Sequence, residues 1–478
     1  MNKRYLVVLL ALFAVLDTVF TFGQYCQQPL DGDLAAIVVP SPWYRPVLHD
    51  PFGWAVLTRN AVYAAPNRFF AHAAMVGYLR YVPRWLQAVA SPIDSIYLAG
   101  ALFKTGVHVL LLALLAAYVH LGSPGTWGRR GWWLAVALLV PLFQTAGYHG
   151  QMGIVSRSLT YSFFYEFPVA LLLRLLLPFY RAACRQQPLR LGWPQVVAWV
   201  GLAVVLAFNG PVVPAATAVL FLGIGVHWLG QQWGRRKGAL ASSPTWLSGQ
   251  AMGLLGMFAL LCVYSLFIGR NNAENSHPFT LWELYQRVPQ GIFEELTSKL
   301  GLPLLVAFVL GNAWLVRRFT RPSAEGKRVQ QVLRWVGLFA VVYIALLPLG
   351  GYRPYRPFLL RNDSILPVLL GLLFGYALST VYLLQQLAAR PRRWYVGAVC
   401  VLSLIFLNAD RRLWLRDGNT CERQALAQLA HAPAGVTRLP ADCTVMGWLP
   451  ITDYQQSAYN AELLYYWGVT PTRKLYYQ

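Results

Sequence analysis

Carboxylates are scarce in this chain. Its 478 residues include 18 Asp and Glu against 40 Lys and Arg, and charged residues make up only 12%. A soluble domain carries about twice that charged share, so one soluble core is excluded. Cysteine is rare too, with 6 in all and no spacing that resembles a zinc site. Internal repeats are missing, and with them the usual sequence mark of a secondary transporter. The first apolar run ends in "TFGQYC" (residues 21–26), which lacks a small-residue cleavage site. That run is long and carries Asp17, so it reads as a retained span and not as a cleaved signal.

What fills the chain is apolar: 57% of its residues are hydrophobic. Runs long enough to cross about 30 Å of hydrocarbon recur along it. Eleven are read, at 5–23, 95–121, 132–148, 160–180, 194–209, 211–230, 249–269, 301–317, 332–350, 364–387 and 394–409. The fifth and sixth are divided only by "NGPVVP". The expected fold is an all-α polytopic membrane protein with about 11 transmembrane helices. Its transmembrane domain covers 1–409, and an external C-terminal region covers 410–478.

Charge orients the spans. With Lys3 and Arg4 in the cytoplasm, the inner loops hold Arg129 and Arg130, then Arg181, Arg185 and Arg190, then Arg235, Arg236 and Lys237. The basic segment 317–334 and Arg390, Arg392 and Arg393 complete the set, and Glu325 is the one acid among them. This is the positive-inside pattern, so the N-terminus is expected in the cytoplasm and the C-terminus outside, on the periplasmic side of a plasma (inner) membrane. The net charge of +22 then reads as topology plus attraction to anionic lipid, with no nucleic-acid partner. The long hydrophilic pieces 24–94, 270–300, 350–363 and 410–478 all fall outside, where the work of the protein is expected. Cys421 and Cys443 lie in that external tail and are candidates for a disulfide. Cys26 is external as well, whereas Cys184, Cys262 and Cys400 read as small apolar residues of the spans.

The first external loop begins "DGDLAAIVVP". Asp31 and Asp33 there have two readings: a tight turn, or a general base and divalent-cation ligand at the membrane face. Segments 51–63 and 67–90, with Arg59, Arg68, Arg80 and Arg84 among aromatics, read as helices lying in the interface. Within the spans, Asp17 and Lys104 fall at similar depths and are expected to pair, and Glu166 sits at a comparable level. Arg174 is deeper and would snorkel inward, and His108 and His227 read as packed residues. A second external motif, "GGYRPYRPFLLRND", gathers Arg353, Arg356 and Arg361 beside Tyr352 and Tyr355, with Arg157 and His149 as further contributors from "GYHGQMGIVSRSLT". Guanidinium forks match phosphate oxygens, which suits either a carrier headgroup or ordinary anionic lipid.

A first span leading into "DGDLAAIVVP", the long loop to residue 94, "GYRPYRPFLLRND" and a soluble tail together resemble the GT-C superfamily of polytopic glycosyltransferases. The resemblance implies a polyprenyl-phosphate sugar as donor and a glycan, lipid or protein acceptor. It implies that Arg353 and Arg356, with Arg361 or Arg157, neutralise the departing phosphate. Asp31 or Asp33 would serve as base or as ligand for a divalent cation such as Mg or Mn. The alternatives are a lipid-linked glycan ligase or polymerase, a transporter, or a noncatalytic envelope-assembly protein. The aromatic segment "YNAELLYYWGV" of the tail would stack on sugar rings or pack on the membrane-proximal surface.

Overall fold

The computed structural model describes residues 3–123, 128–236, 246–275, 279–320, 322–350, 356, 358–411, 418–440 and 442–478. The apolar runs form helices α1 (Lys3–Tyr25), α4 (Pro92–Gly122), α5 (Gly128–Leu139), α6 (Phe167–Arg185), α7 (Trp193–Ala207), α8 (Val212–Arg236) and α9 (Gly249–Gly269). They continue in α11 (Gly301–Phe319), α12 (Ala324–Leu346), α13 (Leu366–Gln386) and α14 (Ala389–Asp410). Between them lie α2 (Leu34–Val38) and α3 (Phe69–Leu86) in the first loop and α10 (Leu281–Thr297) in a later one, and α15 (Thr420–His431) and α16 (Ala458–Tyr466) follow the last span. Among the described residues, nine helical segments are long and apolar enough to cross a membrane, and Arg130–Leu142 and Trp193–Ala207 are shorter apolar helices. This is a helical, multi-pass membrane protein.

Local chemistry sets several boundaries. Ser91 and Ser248 accept the Asp94 and Ala251 N–H groups at the starts of α4 and α9, and Ser323 does the same for Gly326 in α12. The "NGPVVP" break is a true interruption: Gly210 has φ +107° and donates its N–H to Asn67 O at 2.9 Å.

Hydrogen bonds sort the helix ends into two faces. On one, Gln24 Nε2 near the end of α1 donates to Asp410 O at the end of α14, and Tyr97 at the start of α4 reaches Glu422. There too Phe70 N–H donates to Phe208 O just past α7, and Leu302 N–H at the start of α11 donates to Gln151 Oε1. On the other face Gln250 of α9 bonds Leu191 before α7, and Arg328 of α12 donates to Cys184 O in α6. Successive apolar helices, the two short ones included, therefore alternate in direction. We refer to the first as the loop face.

The first loop follows its amphipathic reading. In α3, Ala71, His72, Met75 and Leu79 are buried while Tyr81 and Trp85 are exposed, and the 51–63 segment contains a shorter helix, Trp54–Arg59. The tail departs from the all-α expectation in a small parallel pair, β1 (Val436–Arg438) and β2 (Leu475–Tyr477), with Val436 opposite Leu475. It docks on the first loop: Trp467 Nε1 donates to Leu79 O at 2.8 Å, and Gln87 Nε2 donates to Trp467 O at 2.6 Å. Its aromatic segment thus packs on protein.

Cys421 and Cys443 are joined by a disulfide. Beside it, buried Glu422 accepts from Leu30 N–H (3.0 Å), Tyr97 O–H (2.8 Å) and Met446 N–H (2.8 Å), fastening the tail to the first loop. Burial pushes its pKa from 4.5 up to about 7. A carboxyl with a raised native pKa favours the fold while protonated, and that contribution is lost as pH rises through about 7. Glu422→Gln turns an amide nitrogen toward either the Leu30 or the Met446 N–H, so it should melt below the wild type at about pH 4, and the difference should shift in its favour by at most about 3 kcal/mol as pH rises to about 8. A gap that stays constant across that range would show that Glu422 does not titrate with unfolding.

Candidate functional site on the loop face

The D-G-D turn is held from both sides. A Cβ at Gly32 would lie 2.7 Å from Trp448 N and Cδ1, so only glycine fits beneath that loop. Asp31, 4% exposed, takes Ser158 O–H (2.9 Å) and Thr160 N–H (3.0 Å) on Oδ2, and Thr160 O–H (2.6 Å) on Oδ1. Asp31 thus locks the 156–160 segment in place. Asp33 opens α2, is half-buried and does not cap that helix with its side chain.

Both Asp31 oxygens are already taken, and among the described residues no group of three or more His, Cys, Asp and Glu converges in a way that could hold a metal.

Lys104 corrects one sequence expectation. Its ammonium donates to Gln28 Oε1 (2.7 Å) and to Arg157 O, and it lies within electrostatic reach of Asp31 and Glu166. It does not pair with Asp17, which instead feels the charge of Asp410. Equal depth fixes one coordinate of a helix residue, whereas packing sets the direction it faces. Asp410, at the end of α14, accepts from the consecutive N–H groups of Thr145 (2.8 Å), Ala146 (2.6 Å) and Gly147 (3.1 Å). That nest fixes the loop that continues to Arg157.

Glu166 ends a π-helical turn, Ser162–Glu166, that leads into α6. Its Oε1 accepts Ser156 N–H at 3.0 Å, while its buried Oε2 has no partner among the described residues. Such turns often mark working sites. His108 and His227 are packing residues as expected, the first beside Tyr25 O–H and the second beside Gln231.

The arginine motif is compensated from within. Arg361 forks onto Asp363, with Nε 3.1 Å from Oδ1, and Arg356 Nη1 stands 3.9 Å from Asp363 Oδ2. A fork on a carboxylate is partly withdrawn from any anion, so Arg361 is less available for phosphate than its sequence position suggests. Arg353 lies outside the described residues. Asn362 Nδ2 donates to His149 O (3.2 Å), joining this loop to the one that bears Arg157. His149 is buried, bonds Val155 O, and is pushed down to a pKa of about 3 by burial and then by Arg157. It is a neutral scaffold residue.

Sequence reading missed two groups of polar residues. Glu295 on α10 is buried, and burial followed by the charges of Asp363 and Glu294 raises its pKa to about 7. Beyond the D-G-D turn, Tyr44 O–H donates to Glu274 (3.3 Å) and feels the charges of Asp33 and Arg68. Its ring lies 5.5 Å from that of His72, and the Arg68 guanidinium stacks on Phe164 at 4.9 Å. Asp33 therefore lies near a cluster of polar and aromatic side chains drawn from the first loop and the 270–275 segment.

A cavity of about 600 Å³ lies between α11, α12 and α13. Glu295, Leu360 and Ile365 line its end at the loop face, Val309 and Gly337 its middle, and Arg317 and Arg334 its far end. The walls are mostly aliphatic. No family model matches this chain, and neither a known protein nor a solved structure among those compared with it does.

Proposed function

We propose that this chain is a glycosyltransferase of the GT-C type that moves a sugar from a polyprenyl-phosphate carrier to an acceptor hydroxyl. The reaction occurs on the loop face, which is the external side of a plasma membrane whose cytoplasmic side holds the N-terminus. The observation that carries the reading is the apolar cavity along α11, α12 and α13, which has hydrocarbon depth and ends at Glu295 beside the Arg356, Arg361 and Asp363 group. A prenyl chain suits such walls, and a phosphate at its mouth would meet cations.

In this reading the acceptor oxygen attacks the anomeric carbon, a new C–O bond forms, and the bond from that carbon to the carrier phosphate oxygen breaks. The departing phosphate takes the electron pair and is stabilised by Lys104, Arg157 and Arg356. Asp33, the more accessible of the two turn carboxylates, accepts the acceptor proton, while Asp31 holds the loop that bears Arg157. The cystine in the tail supports an oxidising outer face. No step runs through a metal.

The test is transfer of labelled sugar from a panel of polyprenyl-phosphate donors by purified protein in lipid. No transfer or hydrolysis with any donor would remove the reading. A groove variant adds a sharper check. A Cβ on Gly337 meets nothing within 4 Å, so Gly337→Phe would project into the groove without a backbone clash. It should raise KM for long-chain donors roughly tenfold, about 1.4 kcal/mol, and leave short-chain analogues unaffected. Equal effects on both would mean that the chain lies elsewhere.

A further inference from the structure

The face opposite the loops carries a second and larger cavity, of about 930 Å³, between α4, α6 and α7 with Trp132 of α5 at its edge. Arg174, Arg181 and Arg185 fall on one stripe of α6, because steps of 7 and 4 residues return nearly to the same helix face. Arg190, just before α7, and His120, from the end of α4, complete the basic lining, and no acidic residue takes part in it. Each of these arginines is exposed, and among the described residues none is ion-paired.

Depth is informative here. At 1.5 Å per residue Arg174 lies about 10 Å farther into the helix bundle than Arg181 and about 16 Å farther than Arg185. These are backbone separations: one phosphate would need the Arg174 and Arg185 side chains extended toward each other along the whole span, whereas two phosphates match it directly. The remaining walls are aliphatic, with Leu175, Leu177 and Leu202 among them. A soluble polyanion would meet these aliphatic walls with nothing to bury against them, whereas a lipid enters sideways with its chains already in hydrocarbon and its headgroup toward the arginines. An intramembrane arginine kept without a carboxylate is costly unless an anion compensates it.

We propose that this cavity binds an anionic phospholipid carrying two phosphate groups, at a site separate from that of the loop face. Arg174 takes the inner phosphate, Arg181, Arg185 and Arg190 take the outer one, and the leucine walls receive acyl chains.

The experiment uses the full chain, delipidated in detergent, and native mass spectrometry to titrate three probes: diphosphatidylglycerol, phosphatidylglycerol at equal phosphate, and inorganic pyrophosphate. The expected result is binding of the diphosphatidyl lipid roughly tenfold tighter than the monophosphate lipid, with pyrophosphate weaker than both. Arg174→Gln should abolish that preference, as should Arg181→Gln combined with Arg185→Gln. The double variant lies at the exposed end of α6 and carries the test if Arg174→Gln fails to fold. Equal affinity for the two lipids, pyrophosphate binding as tightly as lipid, or an unchanged preference in the folded variants would each overturn the proposal. The readout is binding alone, so it is independent of whether the loop face transfers sugar.

Discussion

Asp33→Asn should lower turnover by roughly 10² to 10⁴-fold while leaving the melting temperature and donor binding near wild type. The amide keeps the shape of the side chain and removes its basicity. Asp33 is half-buried at the start of α2, and its side chain does not cap that helix. Asp31→Asn should behave differently. Its carboxylate takes Ser158 O–H and Thr160 N–H on one oxygen and Thr160 O–H on the other, so an amide keeps these bonds only if its oxygen takes the first pair and the Thr160 hydroxyl turns to accept from its nitrogen. Exchanging bonds to a charged acceptor for neutral ones in this buried site costs about 1 kcal/mol, seen as a lower melting temperature. Turnover would fall with it, because the loop it anchors carries Arg157, whose carbonyl Lys104 holds. Measuring turnover and melting on both variants separates the roles. If Asp33→Asn retains full turnover in an active protein, the base assignment fails; if Asp31→Asn alone is inactive with an undisturbed melt, the roles are reversed.

The helices were legible because their signal is local. An apolar run declares itself without its neighbours, and even the division at "NGPVVP" was readable from Asn209, Gly210 and the flanking prolines. Amphipathic spacing likewise anticipated a helix at α3, though not which residues it buries against the protein. Partners distant in sequence were not legible. Asp31 finds Ser158 and Thr160 across more than a hundred residues, and nothing in "DGD" names them. Asp17 and Lys104 failed as a pair because a depth argument ignores which way each helix turns. Arg361 is a different case: Asp363 stands two residues away in "RND", so its compensation was there to be read. Glu295 was hidden for a third reason. In an amphipathic helix such as α10 it looks like one of several solvated acids until the neighbouring helices bury it.

Asp410→Ala should be among the most damaging single substitutions in the chain, because one carboxylate oxygen there receives the backbone N–H groups of Thr145, Ala146 and Gly147. Each buried donor left without an acceptor costs about 1–3 kcal/mol, so the loop from residue 143 onward would lose its anchor and carry Arg157 out of register. Gly147→Ala should reach the same end sterically. Its Cβ would fall 2.5 Å from the backbone C and O of Ala409, atoms that have no rotamer in which to retreat. Asp410→Asn is the informative contrast. The amide oxygen can still accept all three N–H bonds, and Thr145 O–H, 2.9 Å from the other carboxylate oxygen, can turn to accept from the amide nitrogen. The expected order of melting temperatures is wild type close to Asp410→Asn, with Asp410→Ala and Gly147→Ala well below, and turnover following the same order. If Asp410→Asn falls as far as Asp410→Ala, the loop is held by the negative charge at that helix end and not by the three hydrogen bonds. The loop face would then depend on pH through Asp410, and the nest would be only the geometry in which that charge is presented.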